Sequence, residues 1–449
     1  MNKDITEGKI YNSLIRFVIP VFFSLFLQAL YGAVDLMVVG HYAETIDVSG
    51  VAIGSHLMQI LTMVTTNLSM GVTVIVGEKI GEKRNRDAGI AIGTGLTLFI
   101  IISIVMTAFI EMLAPVMAKL MQTPEESFNK AVSYLRICGA GSIFIVLYNI
   151  IGSIFRGIGD AKTPLITVGI ATVVNIIGDL FFVRVCRMGA AGAAIATVAA
   201  QAVSVVISYF IIRKRGIPFE FEKEFLSIRK DIAVTELKIG APLALMEVLV
   251  GGSFLVLQAI TNSFGVVYSA AIGVTEKLVA FIMLLPSAFA QAMTTFTAQN
   301  VGAGKPERAK KALKYSIATA VGLGLFVAYF SFFHGNLMAQ IFTEDQAVVP
   351  HAWDYMKSYS IDCLLTPFLF CLHGYFNGRE KTGFVTAECL VGAFVIRIPV
   401  AFLMSKIFGA QLFYIGIATP CATFIQIILC IIMYCKMEKK DKEEVYIKR

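Results

Sequence analysis

Apolar residues run through this chain in long stretches separated by short polar ones, and each stretch has the roughly 20 residues a helix needs to cross a bilayer. Twelve stand out, near residues 14–38, 50–76, 88–113, 131–154, 163–184, 190–212, 233–262, 268–295, 312–334, 352–376, 384–405 and 412–435. Charged side chains collect between them. The pattern predicts an all-α membrane protein of twelve transmembrane helices, with loops too short for a separate soluble domain. The first stretch follows a polar lead, is too long for a signal sequence and ends in no small-residue cleavage pattern, so it is expected to be retained. Composition agrees, since 57% of the 449 residues are hydrophobic and only 15% are charged, far from the ordinary soluble balance.

The pattern also repeats. At an offset of 219 to 222 residues, Pro20 corresponds to Pro242, Ala52-Ile53-Gly54 to Ala271-Ile272-Gly273, Gly81 to Gly302, Ala88 to Ala309, Gly157 to Gly378 and Thr197 to Thr419. Six spans per half make both halves enter the membrane from the same side. The predicted fold is therefore two six-helix lobes related by a pseudo-two-fold along the membrane normal. The N-terminal lobe covers residues 1–212, a cytoplasmic linker 213–238, and the C-terminal lobe with a cytoplasmic tail 239–449.

Charge sets the expected orientation. With both termini in the cytoplasm of a multi-pass plasma-membrane protein, 29 lysines and arginines face inward. Only Lys119, Lys130, Arg136, Arg184, Arg187, Lys357 and Lys406 face outward, as the positive-inside rule requires. Lys277 and Arg397 lie within spans. This bias, with anionic lipid at the inner leaflet, accounts for the net charge of +7 and gives no case for nucleic-acid binding. The eight cysteines contain no CxxC pair and are expected as small core residues rather than a disulfide framework or zinc site.

Chemistry enters with the acids inside apolar runs. A carboxylate near the middle of a spanning helix costs roughly 2.5 to 3.5 kcal/mol, and such residues mark ion or proton pathways. Asp35 and Asp179 are two of them, with no lysine or arginine beside them in sequence. Asn175 lies four residues before Asp179, on the same helix face. At about 1.5 Å per residue, Asp179, Thr197 and Asp35 reach similar depths in the outer part of the membrane. Two carboxylates, an amide oxygen and a hydroxyl form an all-oxygen set suited to a hard cation such as sodium, or to a proton. Hydrogen-bonded acids that merely pack the lobe are the structural alternative. By the repeat, Asp179 falls on Pro399 and Asp35 near Leu257, so this chemistry is expected in the first lobe alone.

Glu247, Glu276 and Lys277 are the other charges expected to be buried, either pairing between helices or taking part in substrate binding or coupling. Arg397, beside Pro399, is expected to satisfy carbonyls freed by the proline. Gly302-Ala-Gly-Lys305 lacks the phosphate-loop pattern, and neither HExxH nor GxSxG occurs. No enzyme activity, cofactor or catalytic residue is expected.

Pro20 and Asp35, Arg156-Gly-Ile-Gly-Asp-Ala-Lys-Thr-Pro164, Asn175 to Asp179, Gly192 to Thr197 and Gln299-Asn-Val-Gly-Ala-Gly304 together resemble the multidrug and toxic compound extrusion (MATE) family over essentially the full length. The resemblance implies a V-shaped, twelve-helix antiporter that works by alternating access, exchanging lipophilic cationic drugs for sodium or protons. It also implies a first-lobe cation site at Asp35, Asn175, Asp179 and Thr197. The partners expected are cationic small molecules and membrane lipid, with the chain acting as a monomer. In the second lobe the pattern departs: Glu247 is displaced by about a turn, and Asp362 does not align. A lipid-linked oligosaccharide flippase of related fold is the competing reading, and its pyrophosphate substrate would call for more basic residues within spans.

Overall fold

The computed structural model describes residues 5–215 and 222–447, and part of the expected linker, 216–221, lies outside the described residues. The described residues are almost entirely helical and contain no strand. The first six predicted spans are α1 (Ile10–Tyr42), α2 (Thr45–Gly81), α3 (Asn85–Leu120), the pair α4 (Glu125–Ala140) and α5 (Ser142–Gly157), α6 (Lys162–Asp179) with a π-helical extension (Leu180–Val185), and α7 (Gly189–Arg215). The second six are α8 (Lys230–Asn262), the pair α9 (Val266–Ile282) and α10 (Leu284–Gly302), α11 (Pro306–Gln340) and α12 (Val349–Gly378). They end with α13 (Thr382–Leu390), which runs through a π-helical stretch (Val391–Arg397) into α14 (Ile398–Phe408), and with α15 (Leu412–Gly416) leading into α16 (Ala418–Ile447).

Every predicted span lies on helix. Ten are continuous, long and apolar enough to cross a membrane, and the bent pair α4 and α5 makes eleven. The twelfth, α12, is more polar because Asp354, Lys357, Asp362 and His373 interrupt its apolar run. The fourth span, expected as one helix, bends by 56° at Gly141. There the backbone is pressed against α7, and a Cβ on Gly141 would stand 2.4 Å from Val198 Cγ1.

The internal repeat is visible in the turns. Left-handed backbone occurs at Lys83 and Gly304, at Gly159 and Glu380, and at Gly189 and Gly409. Each pair is 220 or 221 residues apart, so the two halves turn at the same places whether or not glycine is present. Proline inside the first helix of each half, Pro20 in α1 and Pro242 in α8, follows the same spacing.

The helices form two compact units. Unit one comprises Met1–Ala244 and Thr295–Arg308; unit two comprises Leu245–Thr294 and Ala309–Arg449. In unit one, residues 71–77 of α2 are buried on every side, as a helix apolar all round must be. They pack with Phe99, Ile110, Leu135, Ile150 and Ile239 in one core. The start of α8 lies directly on α2: a Cβ on Gly71 would stand 2.1 Å from the Glu236 carbonyl, and one on Gly240 would stand 2.0 Å from that of Leu68. Two motifs that carried the family resemblance meet here, with Gln299 Nε2 donating to the Gly157 carbonyl at 2.7 Å. Asp160 caps α6, accepting from the Lys162 and Thr163 amides at 3.0 and 3.1 Å. The N-terminal lead is fastened by Arg308, which donates to the carbonyls of Glu7 and Gly8 at 2.7 and 2.8 Å. Unit two has its own core around Leu257, Ile272, Val349, Tyr355, Leu412 and Ile415.

At the start of α7 a remote carboxylate acts as the cap. Asp47 Oδ1 accepts from the Ala190 amide at 2.9 Å and pairs with Lys130 Nζ at 2.9 Å. Gly189 has φ +54°, and a Cβ there would stand 2.3 Å from Asp47 Oδ1. Asp47→Ala removes a charge-assisted bond worth about 1.5 to 3 kcal/mol, and Gly189→Ala adds about 1 to 2 kcal/mol of left-handed strain to a clash. Both variants are expected to lower the midpoint of thermal unfolding in detergent, followed by circular dichroism. An unchanged midpoint in both would contradict this account of how α7 begins.

Candidate functional site

Asp35 on α1, Asn175 and Asp179 on α6, and Thr197 on α7 converge inside unit one. All four are buried, with Asn175 and Asp179 showing no exposed surface. α6 lies between α1 and α7 and packs against both. Its approach to α7 is set by small residues, since a Cβ on Gly178 would stand only 2.9 Å from the Ala196 Cβ. The residues next in sequence, Asp179 and Thr197, are thereby carried to the same level. Asp179 also ends the α-helical part of α6, immediately before the π-helical turn. Such turns are rare and concentrate at functional sites.

Thr197 Oγ1 donates to Asp35 Oδ2 at 3.2 Å. Asn175 and Asp179 stand within interaction range of Asp35, outside the geometry of a formed hydrogen bond. Asp35 Oδ1, both polar atoms of the Asn175 amide and both oxygens of Asp179 have no hydrogen-bond partner. No lysine or arginine figures among the partners of either acid. Each buried polar group left without a partner costs about 1 to 3 kcal/mol. Their convergence makes an oxygen-rich pocket that a hard cation or bridging protons would satisfy.

Sequence reasoning did not single out Tyr31, Tyr134 and Cys138, which share the electrostatic neighbourhood of Asp35. A signal was available in their spacing, because Tyr31 precedes Asp35 by one helical turn and Tyr134 precedes Cys138 by one. Tyr134 packs where Gly54 leaves room, its Cδ1 being 2.6 Å from where a Cβ would be.

The remaining candidates lie in unit two and do not gather. Glu276 and Lys277 are exposed and Glu247 is half-buried. As neighbours in sequence on α9, Glu276 and Lys277 point away from one another, and Lys277 Nζ lies 6.0 Å from the Phe342 ring centre. Arg397 differs from its expected role: its Nη1 donates to Ser253 Oγ at 2.9 Å and its guanidinium lies 4.2 Å over Phe254. A hydroxyl and a ring stand where backbone carbonyls were expected, and its Nε has no hydrogen-bond partner. Asp362, which no alignment of the halves placed, is buried, accepts from Thr366 Oγ1 at 2.7 Å and faces the charge of Arg397. Its Oδ1 has no hydrogen-bond partner, but unlike the acids of unit one it has a base in its electrostatic neighbourhood.

The chain resembles known proteins along nearly all its length. A protein of Bacillus subtilis (strain 168) named probable multidrug resistance protein YoeA is 24% identical, with 97% of this chain and 96% of the relative covered. The multidrug export protein MepA of Staphylococcus aureus (strain NCTC 8325 / PS 47) is 24% identical over 90% of this chain and 89% of its own. Among solved structures, an outward-facing multidrug resistance MATE family transporter of the MOP superfamily matches with a TM-score of 0.90, 20% identity and 98% of each chain covered. A MOP superfamily transporter from Pyrococcus furiosus, described by the reverse polarity of its binding pocket, matches with a TM-score of 0.91 and 19% identity, covering 97% of each chain. The MatE family model matches twice, over residues 20–181 and 242–403, one match in each half of the repeat. On these matches the chain is a multi-pass membrane protein that belongs to the MatE family of transporters.

Proposed function

We propose that this protein exports lipophilic organic cations from the cell by alternating access, driven by entry of a sodium ion or proton at Asp35, Asn175, Asp179 and Thr197. The observation that carries the reading is the convergence of two uncompensated buried carboxylates, an amide and a hydroxyl, most of their oxygens lacking partners. The multidrug names of the relatives support drugs as the cargo. Acids outnumber bases among the charges singled out in the spans, which favours cationic cargo; neutralising Asp35 and Asp179 with a coupling cation weakens that attraction and promotes release. One charge moved through 100 mV supplies about 2.3 kcal/mol, enough to shift a two-state equilibrium by more than tenfold. Membrane lipid is the solvent, the chain works as a monomer, and no cofactor takes part.

In proteoliposomes with an imposed sodium or proton gradient, uptake of a fluorescent organic cation is expected with one gradient and not the other, which identifies the coupling ion. Asp35→Asn and Asp179→Asn should each abolish the gradient-driven component while the protein stays folded. Thr197→Val should weaken the apparent affinity for the coupling ion about threefold to tenfold, the worth of one hydrogen bond, and Glu247→Gln should have less effect than either aspartate change. Full transport in both aspartate variants would overturn the mechanism. Movement of anionic lipid-linked sugars, with cationic dyes untouched under both gradients, would favour the flippase.

The same reading places both termini in the cytoplasm. Cys186, exposed after the π-helical turn of α6, should react with an impermeant maleimide on intact cells, whereas a thiol introduced as Arg86→Cys should react only after permeabilisation. The opposite pattern would invert the topology.

A further inference from the structure

Unit two holds a second cluster of ligand-type side chains that the transport reading does not use. His373 of α12, Glu388 of α13 and Cys430 of α16 bring an imidazole nitrogen, a carboxylate oxygen and a sulfur within 4.8 Å of one another. His373 Nε2 and Glu388 Oε1 are 2.5 Å apart, within hydrogen-bond distance. Cys389 Sγ stands 3.3 Å from Glu388 Oε1 and 4.0 Å from His373 Nε2. His373, Glu388, Cys389 and Cys430 are 7%, 2%, 6% and 0% exposed. The Phe370 ring stacks on His373 and holds its plane. A simple histidine–glutamate hydrogen bond explains one of these contacts. It leaves Glu388 Oε2 buried without a partner, and it gives no reason for thiols from two helices to meet at the same pair.

We propose that His373, Glu388, Cys389 and Cys430 form a four-ligand site for a thiophilic divalent cation of the zinc class. Ligand atoms 2.0 to 2.3 Å from a tetrahedral zinc stand about 3.3 to 3.8 Å from one another. The contact between Cys389 and Glu388 already fits that spacing, and His373 and Glu388 need separate by less than about 1 Å to admit the ion. Nitrogen, oxygen and sulfur together suit zinc or cobalt(II); sodium and magnesium would want oxygen alone, and copper(I) softer donors than a carboxylate. The carboxylate and two thiolates offset the charge of the buried dication, with one negative charge in excess. Metal ligands bind in their deprotonated forms, so binding releases protons, thiol protons among them, and affinity rises with pH. The ion would tie α12, α13 and α16 together just before the π-helical stretch of the second half.

The test uses the purified full-length protein in detergent, with Cys186, Cys421 and Cys435, the exposed thiols, replaced by serine, or blocked with maleimide if that background fails to fold. Titration with cobalt(II) is expected to give one ion per chain, a thiolate-to-cobalt charge-transfer band in the near ultraviolet and displacement by zinc(II). Cys430→Ser and Glu388→Gln should each weaken cobalt affinity by more than the roughly 10- to 100-fold that loss of an outer-shell partner costs. Cys371→Ser, a change at another buried cysteine of α12, should leave the band unaltered. Metal analysis of the unmutated protein from zinc-supplemented cells should show close to one zinc per chain and needs no variant. Binding well below one ion per chain, or a spectrum unchanged in Cys430→Ser, would overturn the proposal and leave a buried histidine–glutamate pair.

Discussion

Asp35 and Asp179 lie on neighbouring helices with no base among their partners, inside a unit whose core is largely apolar. Two carboxylates in that setting cannot both stay charged and unaccompanied, because the low dielectric penalises each and their like charges penalise the pair. The rest of the first unit can be understood as the means of keeping them together. Small residues at Gly178 and Ala196 bring α6 and α7 close, the Thr197 hydroxyl fixes one oxygen of Asp35, and Asp160 and Asp47 cap the helices that carry the site. What the protein does not supply is a resident countercharge. That missing charge is the opening a transported cation can fill.

The second unit handles its buried charge in another way. Asp362 faces Arg397, and Arg397 rests on Ser253 and Phe254. His373 meets Glu388. Each of these acids has a basic side chain nearby, although Asp362 Oδ1 and Glu388 Oε2 lack hydrogen-bond partners. The two halves share their turns at the repeat spacing yet differ in where they place acids and bases. The fold was duplicated, and the chemistry was not.

Much of this could be read from the sequence, because a bilayer imposes a length on apolar runs and a bias on basic loops. All twelve spans fall on helix, and the depth estimate that set Asp35, Asp179 and Thr197 at one level agrees with the 3.2 Å contact between Thr197 and Asp35. Other features depend on tertiary contact, which local pattern does not carry. The bend at Gly141 arises where α4 and α5 meet Val198, more than 50 residues away. The role of Asp47 as a cap for α7 bridges 143 residues. Arg397 looked like a partner for proline-freed carbonyls because Pro399 is its neighbour in sequence, whereas its partners in space are on α8. Cys430, His373 and Glu388 lie on three different helices, and only the packing of α12, α13 and α16 brings them together.

Competition between coupling ion and cargo through Asp35 and Asp179, as proposed, would show as linkage between two binding equilibria. The dissociation constant of a fluorescent organic cation should be measured on purified protein across a matrix of pH and sodium concentration. Raising the coupling ion is expected to weaken cargo binding by about fivefold or more, a coupling of about 1 kcal/mol. The dependence should vanish in the Asp35→Asn, Asp179→Asn double variant while cargo still binds. Cargo affinity that responds to pH or sodium equally in the unmutated protein and the double variant would contradict that competition.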